Sequence, residues 1–184
     1  MKERKELILL THYYPFGKKE SYIETEVKYL SASFKKVHIF NVGKHSVYTE
    51  KRVVPENFTV LLSNHHEETK KIFLLLKHVF SILFFEELFN LIFVYRKSPS
   101  YVRIKAILSS LRNASSIKKS IQNKIDMSNP SMIIYSYWSD DNAIAIALLA
   151  RQFHHHKYYV PYQSFPYTIL ITHRFFVINF QFDL

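Results

Sequence analysis

The chain has 184 residues and no cysteine, which excludes disulfide bonds, thiolate metal sites and a cysteine nucleophile. Its formal net charge is +10 and 48% of its residues are hydrophobic, as in a folded protein with an anionic partner. The length predicts one domain. The basic residues form short pairs spread along the chain instead of one stripe, which disfavours a dedicated nucleic-acid module.

The first 42 residues have the pattern of a β-α-β unit. Leu7 to Thr11 is a short apolar run, which predicts a strand buried in a parallel sheet. Ser21 and Glu24 have the spacing of a capping box at the start of an amphipathic helix. Val37 to Val42 predicts the second strand, and the crossover between the two strands should be right-handed.

Apolar segments continue through the middle of the chain. Phe58 to Leu62 predicts a third strand, Tyr101 to Ile125 a helix, and Met132 to Tyr137 a further buried strand. Ile72 to Tyr95 predicts a nearly all-apolar helix, but charged residues interrupt it too often for a membrane span of about 20 apolar residues. We expect this helix to be buried or packed at an interface; the alternative is a helix lying in a membrane surface.

The alternation of strands and helices predicts an α/β fold, with a single Rossmann-like, doubly wound parallel sheet and helices on both faces. We place the Rossmann-like domain at residues 1–153 and a divergent or incomplete tail of the same domain at residues 154–184, where Phe175 to Phe182 resembles a strand. The basic start has only a short apolar run and no small-residue cleavage site, so we expect a cytoplasmic protein.

Three groups of residues contain possible metal ligands. Asp140 and Asp141 follow Ser139, and a helix capped by Ser139 with both acids in its first turn explains them without a metal. Consecutive histidines do not face one another, so His154–His156 predicts a solvated basic patch, and His65–His66 predicts a polar helix start. We therefore predict no metal site.

The chain has only two glycines, Gly17 and Gly43, and lacks the glycine-rich motifs of P-loop and dinucleotide-binding proteins. In an open parallel sheet, ligands bind beyond the carboxyl ends of the strands, here at His12 to Lys19 and Tyr135 to Asp140. Aromatic faces beside polar side chains suit a sugar ring, although the same aromatic residues could pack in a core. The aromatic residues are Tyr13, Tyr14, Phe16, Tyr137 and Trp138, and the charged ones are Lys18, Lys19 and Glu20.

Two segments resemble the N-terminal domain of bacterial family 4 glycosyltransferases. "ILLTHYYPFGKKESYIETEVKYLSASFKKVHIFNV" resembles its first β-α-β unit, with the loop and helix "YPFG-x-x-E-x-(F/Y)-I-E-x-E-(I/V)-x-x-L" followed by "F-x-K-V". "IIYSYWSDDNAIAIALLA" resembles its later "(L/I)-Y-S-Y-W" segment. The matched positions are Tyr14, Pro15, Phe16, Gly17, Glu20, Tyr22, Ile23, Glu24, Glu26, Val27, Leu30, Phe34, Lys36, Val37, Tyr135, Ser136, Tyr137 and Trp138.

The resemblance implies half of a GT-B fold, in which the N-terminal domain holds the acceptor and a C-terminal domain holds a nucleotide-sugar. It implies retaining sugar transfer without a metal, in polysaccharide synthesis such as that of capsule or exopolysaccharide, or in glycolipid synthesis. Catalytic residues are not assigned. The residues implied to bind substrate are Tyr14, Phe16, Gly17, Lys18, Glu20, Tyr137 and Trp138.

The chain also departs from the family pattern. "ARQFHHHKYYVPYQ" stands where the family has "R-x-H-(G/R)-x-D", and the E-x7-E motif of the donor domain is missing. We therefore expect a truncated acceptor-side domain that is inactive alone, with a donor-domain partner chain supplying the nucleotide-sugar site. The basic surface and the apolar helix suggest attachment to the anionic inner membrane face, near a sugar or lipid-linked acceptor. The alternatives are a non-catalytic interaction module and a basic domain that binds an anionic membrane or nucleic acid.

Overall fold

The computed structural model describes residues 5–43, 50–63, 81–94, 96–138, 140–153 and 156–160. Within these ranges, five strands form one parallel sheet in the spatial order β3-β2-β1-β4-β5. This is the order of a Rossmann-like sheet, and it confirms the predicted parallel α/β class. The strands are β1 (Glu6–Thr11), β2 (Lys36–Asn41), β3 (Phe58–Leu62), β4 (Met132–Ser136) and β5 (Lys157–Tyr159).

The described helices lie where the apolar periodicity predicts them. They are α1 (Tyr22–Ser33), α2 (Ile82–Phe89), which continues as a π-helical turn (Asn90–Val94), α3 (Tyr101–Lys124) and α4 (Asp141–Ala150). Within the described ranges, no helix is both long and apolar enough to cross a membrane.

Successive residues of β1 point to opposite faces of the sheet, and each face has its own core. Leu7 and Leu9 pack in a core that includes Ile23 of α1. Ile8 and Leu10 pack in the larger core on the other face, with side chains from α2, α3 and α4. The described helices therefore cover both faces of the sheet, as predicted.

The predicted capping box at the start of α1 is wrong. Ser21 has helical dihedral angles (φ −62°, ψ −24°) and its side chain makes no capping hydrogen bond. Glu24 lies with Oε1 3.1 Å from Nη1 of Arg52 instead. The preceding residue, Glu20, has φ 57° and turns the chain into the helix, so Ser21 is already in the helical region.

The cap of α4 is one residue later than predicted. Asp140 is the N-cap, and its Oδ1 accepts the backbone N–H of Asn142 at 2.9 Å. Asp141 lies in the first turn, as predicted. The predicted type of contact, a side-chain oxygen that accepts a backbone N–H, is therefore found, but it comes from Asp140 and not from the predicted Ser139, which lies outside the described residues.

The segment predicted as a divergent tail begins inside the sheet, because β5 pairs with β4. This pairing also corrects the prediction for His156, which is buried instead of solvated, with Nε2 3.0 Å from the carbonyl oxygen of Met127. Several predictions fall outside the described residues: the strand at Phe175–Phe182, His154 and His155, His65–His66, and residues 72–80 of the apolar helix.

Candidate functional site

The loops that follow β1 and β4 lie at the same end of the sheet. These two strands are parallel neighbours, so their carboxyl ends are side by side. Leu10 pairs with Ser136 near the carboxyl ends of the two strands. The loop after β1 (His12–Glu20) therefore meets Tyr137, Trp138 and Asp140, which follow β4. We call this meeting point the β1–β4 junction.

Glu20 is the centre of the junction. Its carboxylate accepts the successive backbone N–H groups of His12, Tyr13 and Tyr14 at 3.1, 2.8 and 2.6 Å. It also accepts the indole N–H of Trp138 at 2.6 Å. Only 6% of Glu20 is exposed, so these donors replace the water that a carboxylate requires. Glu20 thus folds its own loop and joins it to the loop after β4.

A histidine and an aspartate form the second link. Nε2 of His12 hydrogen-bonds to the Asp140 carboxylate, and 30% and 40% of the two side chains are exposed. Burial lowers the pKa of His12, but the hydrogen bond and charge of Asp140, with the charges of Glu20 and Asp141, raise this pKa above its ordinary value. Asp140 therefore holds one ring nitrogen of a histidine that stays partly exposed.

The other ring nitrogen, Nδ1, decides what chemistry is open to His12. Among the described residues none hydrogen-bonds Nδ1 of His12. When neutral His12 donates its Nε2–H to Asp140, Nδ1 carries a lone pair and accepts a proton or a hydrogen bond. A carboxylate-oriented imidazole of this kind is suited to hold or deprotonate a hydroxyl group.

Tyr137 forms the third link, to helix α1. Its hydroxyl donates a hydrogen bond to Oε2 of Glu26, and its ring contacts Tyr22 edge-on at 5.4 Å between centroids. Burial, followed by the hydrogen bond and charge of Glu26, raises the pKa of Tyr137. Tyr137 therefore stays protonated and connects the loop after β4 to the helix that follows the other loop.

Arg52 holds the outer part of the β1 loop. Its Nε donates to the carbonyl oxygen of Gly17 at 2.6 Å, and its Nη2 donates to that of Lys19 at 2.8 Å. Gly17 has φ 64°, which glycine adopts without the strain of a Cβ atom. The arginine lines an open hollow of about 290 Å³ with Gly17, Lys18, Ser21, Glu24 and Glu50.

The seven residues predicted to bind substrate separate into two groups. Glu20, Tyr137 and Trp138 lie at the junction, together with Tyr14, whose carbonyl oxygen accepts hydrogen bonds from Thr11 and Asn41. The other group follows the loop outward: Phe16, which is bridged to Lys51, then Gly17 and Lys18 beside the hollow. Substrate contact stays a prediction for all seven, and Tyr14, Glu20 and Tyr137 are themselves buried.

Sequence reasoning did not identify the pairing of His12 with Asp140, or the role of Arg52. The first was accessible in principle, since both residues follow strands that end at the same edge. Nothing in the sequence around Arg52 indicates its contact with Gly17, because this contact comes from an irregular segment. In the part of the chain that the structure describes, no group of three histidines or carboxylates is arranged to hold a metal ion.

Comparison with known proteins gives no further assignment. No protein-family model, no curated protein and no solved structure matches the chain. The junction geometry, with the resemblance of the two segments that form it, is therefore the basis on which a function is proposed.

Proposed function

We propose that this chain forms the acceptor side of a glycosyltransferase, corresponding to the N-terminal half of a GT-B fold. The observation that supports the proposal is the junction itself. The two segments with the resemblance are far apart in sequence, yet Trp138 donates to Glu20 and Asp140 binds His12 at one edge of the sheet. Parallel α/β sheets bind their ligands at this edge.

The accessible side chains of the junction fit a sugar. The rings of Tyr13 and Trp138 flank His12, at centroid distances of 6.3 and 5.9 Å. Aromatic faces stack on the apolar C–H face of a sugar ring, while an imidazole nitrogen and a carboxylate hydrogen-bond its hydroxyl groups. Nζ of Lys19 lies over one face of the Tyr13 ring, 4.4 Å from its centre, so the positive charge covers that face and the sugar is assigned to the opposite face.

His12 is the residue assigned to the acceptor hydroxyl. Asp140 fixes the ring through Nε2, so Nδ1 accepts the hydrogen bond of the hydroxyl and lowers the cost of its deprotonation. Glu20 has a positioning role, since its carboxylate binds backbone and indole donors. The nucleotide-sugar is assigned to a second Rossmann-like domain and to no residue of this chain.

The sole tryptophan of the chain makes the proposal testable, because its fluorescence reports on the junction alone. The purified 184-residue protein is titrated with the methyl glycosides of glucose, galactose, rhamnose and N-acetylglucosamine. We expect a saturable change in Trp138 emission with at least one of them. Replacing Tyr13 with alanine should weaken that binding by about fivefold, since stacking on one aromatic ring contributes roughly 1 kcal/mol.

Tyr29→Ala is the matched control, because Tyr29 lies on α1 with 75% of its surface exposed and should not affect binding. No saturable signal with any glycoside would contradict the proposal, and so would equal weakening by the two tyrosine variants. The acceptor-side assignment also predicts that the chain alone does not consume UDP-glucose or GDP-mannose in the presence of these glycosides, so measured turnover would contradict it.

A further inference from the structure

The outer face of α2 is apolar and exposed. Ile82, Phe85, Phe89 and Phe93 have 70, 54, 58 and 64% of their surface exposed. Their spacing of three and then four residues places them along one side of the helix and its π-helical continuation. The rings of Phe89 and Phe93 touch at 4.5 Å between centroids. We call these four residues the α2 stripe.

The opposite side of the same helix is packed on the domain. Phe84 is buried in the larger core, and Leu83, Leu88 and Leu91 pack against that core. Glu86, between the two sides, pairs with Arg151 at 2.9 Å. One side of the helix is therefore packed on the domain. The stripe is a second apolar surface, which the described residues leave exposed.

Positive charge follows the stripe directly. The chain turns at Arg96, which has φ 52°, and α3 begins at Tyr101. The basic side chains Arg96, Lys97, Arg103 and Lys105 are all exposed in this turn and in the first turns of α3. Tyr101 and Val102, which are 77 and 73% exposed, add apolar surface between them.

We propose that the α2 stripe docks the domain onto an anionic phospholipid surface. Aromatic and aliphatic side chains on one helix face enter the interface of headgroups and acyl chains, while nearby basic side chains bind acidic headgroups. A second copy of the chain fits less well, because a symmetric contact through the stripe would bring two identical basic segments and two net charges of +10 together. The anionic partner supplies the charge that a second copy lacks.

The full chain is mixed with vesicles of equal parts phosphatidylglycerol and phosphatidylcholine, and bound protein is measured by flotation. We expect binding at low salt that weakens as salt is raised and is lost on pure phosphatidylcholine. The double variant Phe89→Glu/Phe93→Glu should reduce the partition coefficient by about tenfold or more, because two exposed rings are lost from the contact.

The matched control is Tyr29→Glu/Val53→Glu, which makes the same change in charge at exposed apolar side chains outside the stripe, 75 and 97% exposed. It should retain most of the binding. The proposal is overturned if the wild-type chain does not bind the anionic vesicles, or if the control loses as much binding as the stripe variant. It is also overturned if light scattering finds a wild-type dimer that the stripe variant dissociates, with unchanged vesicle binding.

This proposal does not rest on the sugar proposal. Circular dichroism and the Trp138 titration of the stripe variant should match those of the wild type, so failure at the membrane and failure at the junction give separate results.

Discussion

In most proteins charged side chains are exposed and large apolar side chains are buried, but the β1–β4 junction and the α2 stripe show the opposite. At the junction a glutamate is 6% exposed, whereas in the stripe a phenylalanine, Phe93, is 64% exposed. Glu20 is buried because backbone and indole N–H groups replace its water. Phe93 is exposed because the other side of its helix already fills the core. Burial here depends on which partners the fold supplies and only secondarily on polarity.

Removing the Glu20 carboxylate should have the largest effect, because it leaves one buried and three partly buried donors without this acceptor. We expect Glu20→Ala to lower the free energy of unfolding by about 3 kcal/mol, measured by urea denaturation followed through Trp138. Glu24→Ala, which removes an exposed partner of Arg52, should cost less than about 1 kcal/mol. Equal losses in the two variants would remove the contrast between a buried and a solvated carboxylate.

Gly43 lies close to the backbone of the loop after β1. A Cβ atom at this position would lie 1.9 Å from the carbonyl oxygen of His12, a backbone atom that is held in place by the junction. We expect Gly43→Ala to cost about 2 kcal/mol and to shift Trp138 emission, since the loop must move. Lys28→Ala, at an exposed position of α1, should change stability by less than about 0.5 kcal/mol. Unchanged emission in Gly43→Ala would argue against a rigid loop.

The buried side of α2 also contains a carboxyl group, and among the described residues no cluster of backbone N–H groups compensates its burial. Burial, with the charge of Glu86, raises the pKa of Glu87 to about 7 from 4.5. Between these values the folded protein keeps a proton that the unfolded chain has lost, so this group makes the protein less stable as pH rises through this window.

Glu87→Gln should therefore stabilise the protein by about 1 kcal/mol at pH 8, allowing for partial solvent screening, and by less at pH 5. Thermal unfolding at the two pH values measures the difference. Glu56→Gln, at an exposed position, should not stabilise the protein at pH 8. A pH-independent effect of Glu87→Gln would contradict the assignment.

The smallest effect is expected at His12. Its pKa is raised in the folded protein, so the stability that protonation contributes is present below pH 6.5 and is lost as pH rises through the folded value. Asp140→Asn should lower the pKa of His12, as measured by NMR of the imidazole nitrogens. Asp126→Asn, in an exposed turn, should leave it unchanged. An unaltered His12 titration in Asp140→Asn would mean that the pair does not form in solution.

The sequence predicts the fold well because strand burial and helix periodicity are local properties. The apolar run at Leu7–Thr11 and the long helix from Tyr101 are found close to their predicted limits. The three-residue strand β5 was not predicted, since so short a segment has no periodicity of its own and depends on pairing with β4.

The site is less accessible from the sequence than the fold. The strand-end rule identifies both loops, but hydrogen-bond partners decide what each residue does. Glu20 and Glu24 are only four residues apart in sequence, yet one accepts backbone donors and the other pairs with Arg52. The exposure of the α2 stripe could not be predicted from the sequence either, since composition does not reveal which side of an all-apolar helix meets the core.

The central position of β1 has a consequence for how the protein acquires its site. The pairing of β1 with β2 closes a short stretch of chain, whereas the contact of His12 with Asp140 closes a separation of 128 residues. Distant contacts form slowly because more chain entropy is lost before they are made. We therefore expect the β-α-β unit to form first and the Trp138 environment to appear last, which would make the candidate site competent only when folding of the sheet is complete.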